Sequence, residues 1–476
     1  MASSRLARPR RAAAFACVAA LAPLVASCSI GNISHADCKS DDECSAVFGA
    51  GSTCQQGFCA DAPPLDPRCR ILGATSGDVV EFGAILPRSN ADGTPHEWGP
   101  YWEDAIELAV DELNPPVRQG IAGRAIRFTS CDTLSDPNQA TELANLLVSR
   151  KVPAIISDGS SETLADAAVT VPAGVLLMAG ASTTPELTDY PDTSPDKSVG
   201  LVWRTTPSDV YQAEILAKQI EKDFAPARPS VAVFERDDSY GQGLFDAFQH
   251  DYAGTAKGYL YPPVVTGTSD MTGAAVDQAA ADHPTVVVII GFPADVVAVL
   301  NRCAGKSVFE GVKWYLTQGA KFPDLFTELK DESIVEGAIG TAIAAADPKT
   351  SQAFAWFQPQ FEQKYKVTTE SVTDIANVFD AAMLVALSGS YALQPKQALD
   401  GTHMAHALEK VSSGKVVPLD PPHFTEASSA LDAGGDVDID GASGHLDFKA
   451  HGEAKSDIEV WTIQSKAFVH LANLTP

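Results

Sequence analysis

Residues 152–184 decide the fold; they read VPAIISDGSSETLADAAVTVPAGVLLMAGASTT. Two short apolar runs in this stretch, 152–156 and 175–178, have the length of buried strands. Each run is followed by a small polar loop that leads into a helix, so the stretch predicts a repeated strand–loop–helix unit. Units of this kind build parallel sheets that are covered by helices on both faces.

The same rhythm extends in both directions along the chain. Strand-like runs at 79–86 and 125–129 precede the stretch, and a helical pattern between them ends at Asn114-Pro115-Pro116. A second series starts after Arg204-Thr205-Thr206-Pro207, with apolar runs at 230–234, 259–265, 285–290 and 312–316. Two successive series predict an α/β protein with two doubly wound, mainly parallel sheets, one in each of two lobes.

The loops that follow the strands are the candidate ligand site, because open α/β sheets bind ligands beyond the carboxyl ends of their strands. Ser160 and Ser161 offer hydroxyls and backbone N–H groups at a helix N-terminus, which is a suitable seat for a carboxylate. Thr183 lies at the tip of the next loop. These residues alone leave open the alternative that the hydroxyls only cap their own helices.

Five segments in a fixed order resemble the type I periplasmic solute-binding proteins of ABC importers, in the leucine/isoleucine/valine-binding and amide-binding group. They begin at Cys131 (CDTLSDPNQA), Gly180 (GASTTPELT), Trp203 (WRTTPSD), Asp238 (DSYGQG) and Gly441 (GASGHLDF). The resemblance covers residues 78–472. It implies two lobes that are joined by a three-stranded hinge and that close on a small ligand, with hinge crossings near 204–207, 340–344 and 441–446.

The resemblance also implies domain boundaries and a ligand groove. The first lobe would comprise 78–204 with 343–440, and the second 205–342 with 441–476. Carried over to this sequence, the groove has a polar part for the ligand's head group and aromatic walls from both lobes. The polar residues are Ser160, Ser161, Ala181, Thr183 and Gln318, and the aromatic ones are Trp98, Tyr240 and Phe292.

Gln318 departs from the pattern of the resembled family. Amino-acid binders of that family have a glutamate here that faces the ligand's ammonium group, and an amide cannot supply that charge. The loss of a charge-assisted partner costs about 1.5–3 kcal/mol. We therefore expect that another carboxylate replaces the glutamate or that the ligand is not a standard amino acid; Glu235, Asp237 and Asp238 are candidates by sequence proximity.

The N-terminus predicts export and lipidation. Four arginines precede the short apolar run 12–27, which is typical of a signal peptide. Val25-Ala26-Ser27-Cys28 resembles a bacterial lipobox, so we expect cleavage after Ser27 and a lipid anchor on Cys28; an ordinary signal peptide is the alternative. The anchored protein would lie in the periplasm or at the outer membrane of a Gram-negative bacterium.

Cysteines are concentrated in the linker 28–77, outside the resembled family. Cys38, Cys44, Cys54 and Cys59 indicate a small disulfide knot, in any of three pairings. Zinc is disfavoured because the C-x2-C spacing of zinc modules is missing. The sequence gives no partner for Cys69, Cys131 or Cys303; the resemblance implies a cysteine that bridges the first lobe at a position that is Gly159 here.

Charge and motifs exclude several functions. The net charge of −27 becomes more negative when the arginine-rich signal is removed, so nucleic acid is not an expected partner. Residues 436–447 match much of a calcium loop but also fit the family's return strand, and no metal or cofactor is expected. Without an enzymatic signature, we expect a lipoprotein that captures a small polar ligand and delivers it to an ABC permease. The alternative is a ligand sensor or scaffold that uses the same fold without transport.

Overall fold

The computed structural model describes residues 38–40, 43–44, 52–60, 65–265, 271–395, 397–448 and 452–476. The predicted signal segment and Cys28 lie outside the described residues. The first described elements form a small antiparallel hairpin, with strands β1 (Thr53–Gln55) and β2 (Phe58–Ala60).

The first lobe is built on a six-stranded sheet with the order β3-β5-β4-β6-β7-β8. Its strands are β3 (Cys69–Gly73), β4 (Val79–Leu86), β5 (Ala125–Asp132), β6 (Ala154–Ser157), β7 (Leu176–Ala179) and β8 (Val202–Arg204). Helices α1 (Gly99–Leu113), α2 (Pro137–Ser149) and α3 (Ser160–Ala173) connect successive strands. All pairings are parallel except that of β3 with β5.

The second lobe repeats this plan. Its parallel strands are β9 (Ser230–Arg236), β10 (Thr255–Tyr261), β11 (Val286–Ile290), β12 (Lys313–Leu316) and β13 (Ile339–Ile343), in the order β10-β9-β11-β12-β13. Its helices are α4 (Asp209–Phe224), α5 (Ser239–Asp251), α6 (Gly273–Ala281), α7 (Pro293–Cys303) and α8 (Leu325–Glu328). β11 is buried on both sides: Val287 and Ile289 face one core, and Val288 and Ile290 face the other.

The chain then returns to the first lobe and ends in the second. Helices α9 (Gln352–Tyr365), α10 (Ile375–Ala392), α11 (Gly401–Leu408) and α12 (Phe424–Asp432) pack on the first lobe, with a three-stranded sheet of β14 (Lys415–Pro418), β15 (Val437–Gly441) and β16 (Gly444–His445). β17 (Ile458–Gln464) and β18 (Ala467–Leu474) extend the second sheet antiparallel beyond β13. Short 3-10 turns lie between these elements.

Helix α10 is the centre of the first lobe's core. Among the described residues, it is the one helix long and apolar enough to cross a membrane, but 89% of that stretch is buried inside the protein. It is apolar on all sides because strands and helices surround it. The two-lobed α/β architecture with a Cys-rich N-terminal segment confirms the predicted fold class.

Three segments cross between the lobes side by side. The first follows Arg204, whose N–H donates to the Gly452 carbonyl (2.8 Å), and the second follows Ile343, where the Ala344 N–H donates to the Asp457 carbonyl (3.0 Å). The third crossing therefore lies at about 452–457 and not at the predicted 441–446. Residues 441–446 stay in the first lobe because β16 folds back on β15.

Glu453 joins the third crossing to the first. Its carboxylate pairs with the Arg204 guanidinium and accepts hydrogen bonds from the Thr188 hydroxyl (2.9 Å) and the Tyr211 hydroxyl (3.2 Å). Arg204 and Glu453 are both buried, so each needs the other to offset its loss of hydration.

The structure assigns the cysteine pairs that sequence left open. The hairpin carries Cys38–Cys54 and Cys44–Cys59. Cys69 is bonded to Cys131, which had no evident partner in sequence. The pair forms because β3 is an added edge strand that runs antiparallel to β5 and places the two Cα atoms opposite each other. Cys303 is free and buried.

In the sequence match at 436–447, Asp438 and Asp440 belong to β15, Asp436 precedes that strand, and Asp447 follows β16. Within the described ranges, only Cys38, Cys44 and Cys59 approach one another closely enough for a three-ligand metal set, and all three are in disulfides.

We predict that the double substitution Cys69→Ala/Cys131→Ala lowers the free energy of unfolding by about 2–4 kcal/mol, because the bridge closes a long loop within the first lobe. The sequence separation of the pair is 62 residues. Denaturant unfolding, followed by tryptophan fluorescence, measures the change.

The matched control is Cys44→Ala/Cys59→Ala, which removes a bridge outside the lobe cores and should leave the lobe transition almost unchanged. Equal midpoints for wild type and Cys69→Ala/Cys131→Ala would contradict a stabilising role for this bridge.

Candidate functional site

The strand order creates a crevice in each lobe. In the first lobe β4 lies between β5 and β6, and in the second β9 lies between β10 and β11. Connections that leave the first and third strands of such a series diverge to opposite faces, which opens a crevice at the carboxyl ends. The loops after β4, β6, β9 and β11 face one another between the lobes and enclose a cavity of about 340 Å³.

All eight predicted ligand residues line this one cavity. From the first lobe come Trp98, Ser160, Ser161, Ala181 and Thr183, and from the second Tyr240, Phe292 and Gln318. Their spacing in sequence reaches 220 residues between Trp98 and Gln318, and the two sheets bring them together. Their role as ligand contacts stays a prediction.

Aromatic rings form the apolar wall and meet across the cleft. The centroids of Trp98 and Phe292 are 5.1 Å apart in an edge-to-face arrangement, and Phe292 stacks on Tyr240 at 5.0 Å. Behind them, the Trp102 indole N–H donates to the Thr373 carbonyl (2.9 Å), which fixes that ring. Trp98 is only 5% exposed, so the wall is built from buried rings of both lobes.

Two polar contacts join the lobes beside the rings. The Ser161 hydroxyl oxygen accepts from the Ser239 N–H (3.2 Å), and the Glu97 carboxylate accepts from the Ala294 N–H (3.1 Å). Ser239 and Ala294 lie in the first turns of α5 and α7, where N–H groups have no partner within the helix. Each contact therefore uses a helix end of the second lobe to hold the first.

Asp158 does not line the cavity but holds a loop that does. Its carboxylate accepts from the backbone N–H groups of Gly180 (2.8 Å) and Ala181 (2.5 Å) and so fixes the loop after β7. Burial raises the pKa of Asp158 to about 8. Thr183, which sequence placed at an exposed loop tip, is 2% exposed, and its hydroxyl donates to the Asp209 carboxylate (2.8 Å).

The cavity has more carboxylates than sequence reasoning identified. Asp237 and Asp238 line it as suggested, whereas Glu235 does not, because it lies within β9. Glu97, Glu162 and Asp374 also line it. Burial raises the pKa of Glu97 and of Glu162 to about 7 and that of Asp374 to about 6, since each loses water around its charged form.

Glu162 and Asp374 escaped sequence reasoning for different reasons. Glu162 directly follows the two serines, but only the helix geometry shows that its side chain turns back toward them. Asp374 comes from the return segment at the start of α10, at a left-handed backbone position (φ 57°). No local pattern connects Asp374 with the loops of the first series.

Basic groups in the cavity carry little free positive charge. Arg236, at the end of β9, pairs with Asp238 and with Asp295 (2.7 Å) and lies over the Phe292 ring at 4.4 Å. The Nδ1 atom of His96 accepts from two backbone N–H groups, those of Trp98 and Gly99, and burial lowers its pKa to about 3. The imidazole is therefore neutral at physiological pH.

Gln318 presents an unused hydrogen-bond acceptor. Its side chain is 8% exposed, and the Oε1 atom has no hydrogen-bond partner within the described part of the chain. Buried polar atoms are nearly always paired in folded proteins. An unpaired acceptor in the wall of a cavity therefore points to a donor supplied by a ligand.

Comparison with known proteins agrees with this architecture. A family model described as periplasmic binding protein matches residues 79–413. The chemotactic signal transduction system substrate-binding protein BasB of Halobacterium salinarum is 26% identical over 401 residues, which cover 79% of this chain and 84% of that protein. The leucine-binding protein LivK of Thermotoga maritima superimposes with a TM-score of 0.64 at 21% identity, over 83% of this chain and 99% of that one.

A third relative, the Leu/Ile/Val-binding protein of Escherichia coli K12, is 27% identical over 209 residues. That match covers 44% of this chain and 50% of that protein, so the chain spans about half the length of this relative. The chain belongs to the periplasmic binding protein family and is a type I member of the Leu/Ile/Val-binding type. Its relatives are solute-binding proteins and not enzymes, and family membership implies an extracytoplasmic location.

We predict different effects on stability for two substitutions at Asp158. Asp158→Ala should lower the free energy of unfolding by about 2–4 kcal/mol, because two buried N–H groups lose their acceptor. Asp158→Asn keeps an acceptor. When folding raises the pKa of a carboxyl, the protein loses stability as pH rises from the unfolded-state pKa toward the folded-state pKa. Wild type should therefore lose more stability than Asp158→Asn between about pH 5 and pH 8.

Denaturant unfolding at the two pH values measures both effects, with Asp237→Ala as an exposed control. Identical pH dependence in wild type and Asp158→Asn would show that Asp158 ionises normally in the fold.

Proposed function

We propose that this protein captures a small polar ligand, an amino acid, amide or related compound, between its two lobes and delivers it to an ABC importer. The observation that carries the proposal is the cavity of about 340 Å³, which is lined by strand-end loops of both lobes. This volume lies within the range of small-molecule sites. Aromatic walls and a few convergent polar groups give it the composition of such a site.

Because each lobe supplies part of the cavity lining, we expect a bound ligand to close the two lobes. Trp98 and Ser160 belong to the first lobe, and Tyr240, Phe292 and Gln318 to the second. A ligand shifts an equilibrium between open and closed forms only when it binds the closed form better. Because a ligand in this cavity touches both lobes only when they meet, its binding energy favours the closed form.

Lipid attachment at Cys28 is part of the proposal. The tether would keep the binding protein at the membrane, in the periplasm or at the outer membrane of a Gram-negative bacterium. An anchored binding protein stays close to a membrane-embedded permease, and the strongly negative chain is repelled by anionic headgroups except where the lipid holds it. Mass spectrometry of the mature N-terminus tests for the acyl groups.

Ligand sensing without transport is the second candidate. BasB, whose match extends over most of both chains, is described as part of a chemotactic signal transduction system. The disulfide hairpin supports this candidate as well, because capture of a ligand does not require it. Deletion of the gene separates the two: loss of ligand uptake supports transport, and loss of a tactic response with normal uptake supports sensing.

We predict that Trp98→Ala and Ser160→Ala each weaken ligand binding at least about tenfold, since each removes a contact from the enclosed cavity. Mass spectrometry identifies ligand released from freshly purified, denatured protein, and titration calorimetry measures its affinity for each variant.

Ser149→Ala, at the exposed end of α2, is the control and should bind as wild type does. Unchanged affinity in both cavity variants, with folding intact, would show that the ligand binds elsewhere.

A further inference from the structure

Glu162 occupies the place where a ligand's carboxylate would bind. It is the third residue of α3, after Gly159, Ser160 and Ser161, and its side chain folds back over the start of the helix. A β-carbon at Gly159 would lie 2.7 Å from Glu162 Oε2 and 2.9 Å from the carboxyl carbon. The carboxylate therefore sits directly over the N-cap residue, and Gly159, at φ 96°, leaves room for it.

A second carboxylate at this helix end would be repelled by ionised Glu162 or would force that carboxyl to take up a proton. The unpaired N–H groups and the dipole of a helix N-terminus favour one anion there. In α3 the protein's own Glu162 supplies that anion, and this side chain is 8% exposed and lines the cavity. Like charges held close together in a site of low dielectric disfavour each other strongly.

The described residues that line the cavity include no unpaired basic side chain that could bind a ligand carboxylate in place of the helix end. Among the described residues that line it, Arg236 is the one arginine or lysine, and it is paired with Asp238 and Asp295 within the second lobe. His96 accepts two backbone hydrogen bonds at Nδ1. An anionic ligand would therefore lose its hydration without gaining a charged partner.

The remaining groups suit a cation. Glu162 and Asp374 line the cavity from two elements of the first lobe, and Gln318 lines it from the second with an Oε1 atom that has no partner among the described residues. Trp98 adds an aromatic ring beside them. Carboxylates bind ammonium groups by charge-assisted hydrogen bonds, and aromatic faces attract cations. An amide N–H or ammonium N–H of the ligand would also satisfy Gln318.

We propose that the ligand is an organic cation without a carboxylate, namely an amine or an α-amino amide with an apolar body. This inference rests on the proposed function, because it names the class of compound that the cleft captures. It distinguishes this protein from a binder of free amino acids. The ligand has the ammonium group of an amino acid but not its carboxylate, which Glu162 excludes.

Two matched ligand series test the inference. L-Phenylalanine, L-phenylalaninamide and phenethylamine share one apolar body, as do L-leucine, L-leucinamide and isoamylamine. Titration calorimetry and thermal shift on the purified protein should show at least one amide or amine binding at least about tenfold tighter than the acid with the same body. Equal or tighter binding of the acids, or no binding of any amide or amine at millimolar concentration, would overturn the inference.

Variants of Glu162 identify the cause. Glu162→Gln keeps the shape and removes the charge, so it should weaken binding of the cation at least about tenfold. Glu162→Ser frees the helix end and should strengthen binding of L-phenylalanine or L-leucine. Glu142→Gln, on the outer helix α2, removes the same charge away from the cavity and should change neither; unchanged selectivity in both Glu162 variants would overturn the assignment.

The proposed function fails in a different way. If neither these six compounds nor a wider set of amino acids, sugars and organic acids shifts the melting temperature, the cleft is not a capture site. If acids bind and cations do not, the cleft captures ligand but the inference about its class is wrong.

Discussion

Burial of both faces of two parallel sheets is the constraint on which this structure depends. Strands such as β11 are apolar on both sides, and buried charges within the first sheet, such as Glu81 and Arg127, are paired with each other. The polar groups that line the cavity lie mainly in the loops at the strand ends, where the strand order opens a crevice in each lobe. The hinge segments, held by Arg204 and Glu453, turn the two crevices toward each other. A cavity lined by loops of both lobes follows from these facts.

An excess of carboxylates distinguishes this cleft from a neutral pocket. Its carboxylates outnumber its basic groups, and Arg236 is already committed to Asp238 and Asp295. Burial raises the pKa of Glu97 and of Glu162 to about 7, because it removes water from their charged forms. A bound cation would stabilise those charged forms. Glutamine at position 318, in place of the glutamate of resembled amino-acid binders, fits the same pattern, because negative charge is supplied from other positions.

Much of the fold could be predicted from sequence because its signal is local. The run 79–86 matches β4, and α1 ends at its C-cap Asn114, as predicted. β10 was predicted at 259–265 and lies at Thr255–Tyr261, because its first half is polar and exposed at a sheet edge. The bridge Cys69–Cys131 could not be found by spacing, since it depends on an added antiparallel strand.

The candidate site also has a part that could be predicted from sequence and a part that could not. The eight predicted ligand residues follow strands of the repeated unit, and all of them line the cavity. Asp374 does not follow such a strand and enters from the return segment, so only the assembled fold shows it. Glu162 was next to a predicted residue, yet its importance depends on where its side chain points. Sequence therefore locates the crevice, and side-chain geometry determines which charge it accepts.

Lobe closure on a ligand is the central claim, and the distance between the lobes tests it most directly. Pulsed electron–electron double resonance measures that distance between spin labels at Glu142→Cys on α2 and His250→Cys on α5. Both positions are exposed, and they lie on different lobes. The account predicts a longer, broader distribution in ligand-stripped protein that shortens and narrows when amino acids, amides and amines are added. One unchanged distribution under both conditions would contradict it.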